Sequence, residues 1–389
     1  MGGISNLKEK EIVIIGCGMH KFGRFPDESY ADMGRQAIRM ALQDAGMGWK
    51  AIEAAYCSTM YLPATSGARI MRPLGATGIP ICDVEAACAS GGVAIRQAMN
   101  GLESGEHDIA LVLGVEKMPR GFMDPLMLYE RWQVEMGMST NPSYWAMRAK
   151  RHMYDHGTTE LHIAKVAHKS HKNSVNNPYA MYQKEFTLDE ILNSPFVCDP
   201  IRLLEICAPN EGAAAVILCS REKARQFTQK PVSVAACVHT ITLYSADFRV
   251  PLDSLSANAS NPGPTEKTSE KAYEVAAMGP GDINLFEVQD TDSFCEIEIY
   301  EELGLCPLGD AGKLVDEGVT GMGGKYPVNV SGGLVSKGEP IGASHLGQIV
   351  EIVWHLRKEA GKRQVEGAKV GLAHVLGAGG NCAVTILKV

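Results

Sequence analysis

No apolar run in the 389-residue chain is long enough to span a bilayer, so a membrane-embedded role is not expected. Residues 1–10, which include Met1, Gly2 and Asn6, lack the apolar core of a signal peptide. Gly2 with Asn6 falls short of an acylation site, because the hydroxyl residue is missing from the required place. A cytoplasmic protein is therefore expected. Paired cysteine spacings such as Cys-x-x-Cys are also missing. Eleven cysteines, an odd number, suit a reducing compartment and carry no zinc signature, so no metal is expected in this chain. Positive charge is in short supply, with 37 Lys and Arg against 45 Asp and Glu and a net charge of −8. Without a basic stripe interleaved with aromatics, nucleic acid is excluded as a main partner.

What is present belongs to a globular protein, 45% hydrophobic and 21% charged. The length exceeds one ordinary core, so two core-forming halves or one large layered domain are expected. The organising stretch is Val84-Glu85-Ala86-Ala87-Cys88-Ala89-Ser90-Gly91-Gly92-Val93-Ala94-Ile95. It follows an apolar run (Ile79, Pro80, Ile81) and leads into helical spacing at Val93, Ile95, Ala98 and Leu102, which reads as strand, tight turn, helix. Cys88 then sits at a helix N-terminus, where unpaired N–H groups and the helix dipole favour a thiolate. That is the place for a nucleophilic cysteine. The bland alternative makes it one more small buried cysteine, as Cys17, Cys57, Cys219 and Cys237 in apolar segments read.

Glu11 to Gly16 reads as a buried strand ended by glycine, Ser29 to about Ala45 as a helix, and Ala51 to Ser58 and Asp108 to Glu116 as strands. This alternation predicts a mainly parallel sheet covered on both faces. From Met118 to about Phe196, methionines and aromatics are dense (Met123, Met127, Trp132, Met136, Trp145, Met153) and glycine-ended strands disappear. The segment reads as an inserted lid or binding subdomain, with plain helix packing as the alternative. Within it Lys165, His168, Lys169, His171 and Lys172 form either a phosphate site or a solvated helix face. The second half repeats the first: a helix over 266–278, strands over 282–288, 369–374 and 383–389, and a helix from about Ala343 to Arg357. The turn Val328-Asn329-Val330-Ser331-Gly332-Gly333 echoes the one at Cys88, which implies internal duplication with a site between the halves.

Cys88, the Gly212-Ala213-Ala214-Ala215-Val216 strand, Gly338-Glu339-Pro340-Ile341-Gly342-Ala343-Ser344 after Ser331-Gly332-Gly333, and the closing His374-Val375-Leu376-Gly377-Ala378-Gly379-Gly380 come in an order that resembles the thiolase superfamily over nearly the whole chain. Tyr300 to Cys306 and Ala373 to Gly377 look like the archaeal and sterol-carrier-protein-type branch. The resemblance implies a five-layered αβαβα fold of two similar halves. It divides the chain into an N-terminal half (1–117), an inserted loop domain (118–199), a return to the first half (200–230) and a C-terminal half (231–389). It also implies a homodimer, an acyl-CoA substrate, coenzyme A as co-substrate with no tightly bound cofactor, and a small zinc-ribbon and OB-fold subunit as partner.

Family chemistry has the cysteine take an acyl group from a 3-ketoacyl-CoA and pass it to coenzyme A. The backbone N–H groups of Cys88 and Gly380 resemble an oxyanion hole. Elsewhere the chain departs from the pattern. Gly338-Glu339-Pro340 stands where the family has Gly-His-Pro; Glu339 either exchanges protons or merely shapes the turn. Gln289-Asp290-Thr291 stands where related branches place Asn or His, and an amide there can hold a water or an oxygen. Thr291 and Val375 occupy the two places where branches carry a proton-transfer cysteine, so Cys295, Cys382, His345 and His374 are the candidates to compensate. The expected activity is thiolytic cleavage of an aromatic or otherwise unusual 3-ketoacyl-CoA such as benzoylsuccinyl-CoA. The alternatives are a retro-aldolase of the steroid side-chain CoA type and a non-catalytic binding scaffold.

Overall fold

The computed structural model describes residues 10–228, 230–241 and 263–389; the reading of the first nine residues lies outside these. Strand β1 (Ile12–Met19) is buried at all eight positions, as a run covered on both faces requires. It runs past Gly16, which does not end it. A Cβ on Gly16 would lie 2.3 Å from the Ala41 carbonyl oxygen and one on Gly18 2.5 Å from Met40 Cβ, so these glycines let the helix Tyr30–Asp44 lie directly on the strand. The Ser29 hydroxyl caps that helix by accepting from the Asp32 N–H at 3.1 Å.

The other strands are β2 (Ala54–Ser58), β3 (Ile81–Val84), β4 (Ile109–Lys117), β5 (Phe196–Cys198), β6 (Ile201–Arg202), β7 (Glu211–Ser220), β8 (Val232–Thr240), β9 (Leu285–Glu287), β10 (Val370–Leu376) and β11 (Cys382–Lys388). Nine of them follow the order β3-β2-β4-β7-β1-β8-β11-β10-β9, while β5 and β6 pair separately. The expected mainly parallel arrangement is corrected: β2–β3, β2–β4 and β9–β10 run parallel, and the other five pairings run antiparallel. The reversal follows from the connections. The turn from Gly377 to Asn381 between β10 and β11 is too short for a crossover, and β4 returns to the sheet as β7 only after the insert.

The duplication is explicit in the pairing. From β1 outward, the neighbours β7, β4, β2 and β3 pair antiparallel, antiparallel, parallel, parallel. From β8 outward, β11, β10, β9 and the single bridge Phe286–Val328 repeat that sequence. The halves meet edge to edge only at Val13–Ser233 and Ile14–Val232.

Between the halves lie two helices, Ser90–Ser104 and Ile341–Arg357, which contribute to one core with strands of both halves (Ala94, Ile95, Leu346 and Ile349 against Val112, Val216, Val234 and Ala373). All but one residue of Ile341–Arg357 is buried, so this helix has no solvent face. Outside, Tyr30–Asp44 covers β1, β4 and β7, and Pro264–Ala276 covers β8 and β11. The result is a five-layered αβαβα fold of two similar halves. Gly91 and Gly92 serve the central layer: a Cβ on Gly92 would lie 2.5 Å from Ala383 Cβ, and one on Gly91 3.3 Å from His345 Cβ.

Between β4 and β7 run four helices, Arg131–Glu135, Asn141–His156, Glu160–Ser174 and Leu188–Leu192. The basic cluster here divides: Lys172 is exposed and Lys165 half-exposed, as a solvated face has them, while Lys169 and His171 are turned inward. Lys169 is held by Glu296 and the Tyr300 hydroxyl, His171 is buried between Ser336 and the Leu204 carbonyl, and Lys165 pairs with Asp316 at 2.7 Å. Packing of Glu160–Ser174 on Ser293–Glu302 and Gly333–Ser336 turns Lys169 and His171 inward. Cys17, Cys57, Cys219 and Cys237 are buried core, as expected.

Candidate active site

Past Val84, the chain turns sharply before the helix that begins at Ser90. The Ser90 hydroxyl accepts from the Ala86 N–H at 2.8 Å and donates to the Ala87 carbonyl at 2.6 Å, while the Glu85 carboxylate accepts from the Ala87 N–H at 2.7 Å. Ala87 has φ +50°, a conformation that costs an L-residue about 1 kcal/mol and holds Cys88 out from the turn. Gly377 lies against the same turn; a Cβ there would be 2.9 Å from the Cys88 nitrogen.

The half-buried Cys88 thiol faces its own N–H, the N–H of Ala378 and the Glu339 carboxyl. Burial, and then the Glu339 charge, pushes this thiol well above its ordinary range; the two N–H groups pull the other way and lose. The expected resting thiolate is thereby corrected, because burial, and then a neighbouring carboxylate, outweigh what the helix terminus alone would have favoured. Ala378 presents its N–H to the sulfur, and Gly380 sits in the same short turn at φ +71°.

Glu339 precedes the second central helix as Cys88 precedes the first. Gly338 has φ +113°, and a Cβ there would lie 1.7 Å from Asn210 Nδ2, so only glycine fits. The Glu339 N–H donates to the Ala208 carbonyl at 2.9 Å. Its carboxyl is 5% exposed and is shared by three groups: Gln289 Nε2 donates to Oε1 at 2.5 Å, and the Cys207 and Cys88 thiols are within hydrogen-bonding reach. Burial raises the Glu339 pKa against these three donors. A raised carboxyl against a raised thiol can exchange one proton without moving net charge.

Gln289 is clamped by its neighbours: Asp290 accepts from the Leu334 N–H at 2.6 Å, and the Val288 N–H donates to Asn329 Oδ1 at 2.8 Å. Its Oε1 is buried without a partner. A small cavity beside it is lined by Trp145 of the insert, Thr291, Cys295, Glu298, Glu302 and Leu376. Trp145 Nε1 is likewise buried and unpartnered.

The other candidates are elsewhere. His345 bonds Gln348 at 2.9 Å and Thr385 at 3.3 Å behind Gly91 and Gly92, and burial lowers its pKa to about 4. His374 bonds Thr265 at 3.1 Å, and burial, with His345 nearby, lowers its pKa to about 3. Both are neutral packing groups. Cys295 donates to Asp292 at 3.4 Å, and Cys382 is buried in β11 with its pKa pushed up to about 12. Val375 packs against Cys88. Cys207 was missed; its signal was its place in the polar segment Cys207-Ala208-Pro209-Asn210 just ahead of the Gly-Ala-Ala-Ala strand, unlike the cysteines in apolar runs.

Residues 12–222 match the family described as thiolase, N-terminal domain, and residues 256–388 the thiolase C-terminal domain-like family. An acetyl-CoA acetyltransferase of Methanothermobacter thermautotrophicus is 39% identical, covering 97% of this chain and 100% of that protein. Sterol carrier protein 2 of Bos taurus is 38% identical over 97% of this chain and 72% of its own length. Among solved structures, the Ltp2-ChsH2(DUF35) aldolase superposes with a TM-score of 0.84 at 22% identity, covering 97% of this chain and 98% of that one. Human mitochondrial 3-ketoacyl-CoA thiolase superposes with a TM-score of 0.73 at 15% identity over 97% and 98%. The chain belongs to the thiolase family and is an acyl-CoA acyltransferase. No helix among the described residues is long and apolar enough to cross a membrane.

Proposed function

We propose that this protein cleaves a 3-ketoacyl-CoA thiolytically through an acyl-Cys88 intermediate, with coenzyme A as co-substrate. The observation that carries the reading is the single cluster of Cys88, Glu339 and Gln289 at the N-termini of the two central helices. Glu339 takes the Cys88 proton, the N–H groups of Cys88 and of the Gly377–Gly380 turn hold the oxyanion, and Gln289 holds Glu339 in place. The acyl group we assign is aromatic, as in benzoylsuccinyl-CoA, whose benzoyl end would remain on Cys88. Trp145 at the cavity supports this. Residues 118–199 act as the lid in this reading, since the Met181 N–H donates to the Lys337 carbonyl at 3.0 Å beside Glu339.

We also assign the protein to the cytoplasm, in keeping with eleven free cysteines, and to a homodimer with a small zinc-ribbon and OB-fold subunit. Exposed Phe122, Leu126, Met127, Trp132 and Met136 on the insert supply apolar surface for such contacts. The DUF35 component of the aldolase structure is a partner of that kind of fold neighbour. The test is intact mass after brief exposure to benzoyl-CoA or acetyl-CoA, with Cys88→Ser as control. A benzoyl adduct absent from the variant is expected. An acetyl adduct alone removes the aromatic assignment, and no adduct despite coenzyme A binding overturns the acyl-cysteine mechanism.

A further inference from the structure

The proposed reaction needs a proton at the α-carbon of the departing acyl-CoA, and the usual positions for a second thiol hold Thr291 and Val375. Val375 packs apolar against Cys88, Cys295 faces Asp292, and Cys382 is buried in β11. Among the cysteines of the described residues, one other thiol shares the Glu339 carboxyl with Cys88, and that is Cys207. Its backbone is stitched to both catalytic loops: the Cys207 N–H donates to the Thr291 carbonyl at 2.8 Å, and the next residue, Ala208, accepts from the Glu339 N–H at 2.9 Å. Cys207 is only half-buried, whereas Gln289, its neighbour on Glu339, is buried. A second thiol, the nucleophile candidate and one carboxyl between them therefore converge on one point.

We propose that Cys207 is the acid that protonates the α-carbon in the carbon–carbon cleaving step, with Glu339 restoring its proton. The inference rests on the acyl-Cys88 reading above. The steps balance. Glu339 takes the Cys88 proton, and the thiolate adds to the 3-keto carbon. Collapse of the adduct breaks the C2–C3 bond and leaves its electron pair on C2. Cys207 gives its S–H proton to C2, and Glu339 returns the first proton to the Cys207 thiolate. In the second half, Glu339 takes the proton of coenzyme A, the coenzyme A thiolate removes the acyl group, and Glu339 reprotonates Cys88. Cys207 is used only where carbon is protonated or, in the reverse direction, deprotonated.

This separation gives the test. Exchange of labelled coenzyme A into benzoyl-CoA passes through acyl-Cys88 and involves no α-proton. Deuterium uptake at the α-carbon of succinyl-CoA, the acyl-CoA that departs from benzoylsuccinyl-CoA, in D2O, and cleavage of a 3-ketoacyl-CoA, require one. Cys207→Ala and Cys207→Ser are expected to keep label exchange within about threefold of the native rate and to lose deuterium uptake and cleavage by at least about 100-fold. Cys207→Ser preserves shape and hydrogen bonding, so it guards against a packing defect in the alanine variant. Undiminished deuterium uptake overturns the proposal, as does a parallel loss of label exchange in Cys207→Ser, which would mark a merely structural cysteine. Failure of label exchange in the native protein with both benzoyl-CoA and acetyl-CoA would instead refute the acyl-Cys88 reading, and this proposal with it.

Discussion

Cys88 and Glu339 define each other's chemistry. A helix terminus would make the thiol acidic, but burial, and then the carboxyl beside it, does the reverse, so in the proposed reaction the sulfur becomes a nucleophile only when its proton moves to Glu339. As a base Glu339 must be ionised, and its pKa is raised, so activity falls as pH drops through that raised value. Glu339→Gln keeps the bond to Gln289 but cannot accept the proton. A loss of about 10²–10⁴ in kcat/KM is expected, together with loss of the acid limb of the pH profile, both measured by steady-state kinetics. His345 predicts a different pH effect. Its pKa is 6.5 unfolded and about 4 folded, so the unfolded chain binds more protons between these values and stability declines as pH falls through that window. Urea midpoints recorded against pH should show a flatter slope for His345→Gln, by roughly 3 kcal/mol across the window, with the pH profile of activity unchanged.

At the level of elements, the glycines carry the placement of the site. Gly338 sits at φ +113° against Asn210, and its alanine variant forces either strain or a displaced Glu339 loop. A cost of about 1–3 kcal/mol in the chemical-denaturation midpoint is expected, with activity falling further than stability because Glu339 moves. Gly92 acts through packing alone. A Cβ there meets Ala383 at 2.5 Å, so Gly92→Ala should separate the nucleophile helix from β11 and lower the thermal midpoint through an overpacking cost of about 1–3 kcal/mol.

Across the whole molecule, two repeated ladders meet edge to edge at only two residue pairs, so the central helices do most of the joining. Arg357 at the end of one of them reaches across, donating to Asp44 at 2.6 Å and to the carbonyls of Lys230 and Ile14. Calorimetry should show one cooperative transition, lowered in Arg357→Ala by a change worth about 1–3 kcal/mol, because the charge-assisted bond to Asp44 and the bonds to two carbonyls are lost while the exposed Asp44 is solvated instead. Most strands, the central helices, the Cys88 turn and the duplication were legible in local pattern, because apolar runs and glycine-broken turns are written in contiguous residues; β8, which joins the halves, was not read from the sequence. The family followed from them. Strand direction was not legible, because it depends on how the chain re-enters the sheet at β7. Nor was the length of β1, where Gly16 answers to a helix packed on it. The site's composition was decided by tertiary contact alone. Cys207, Gln289 and Glu339 are far apart in the chain and meet only when three loops are bonded together, while His345 and His374, plausible by sequence, are turned into the core. A residue's type is local, but its pKa and its partners belong to whatever the fold places beside it.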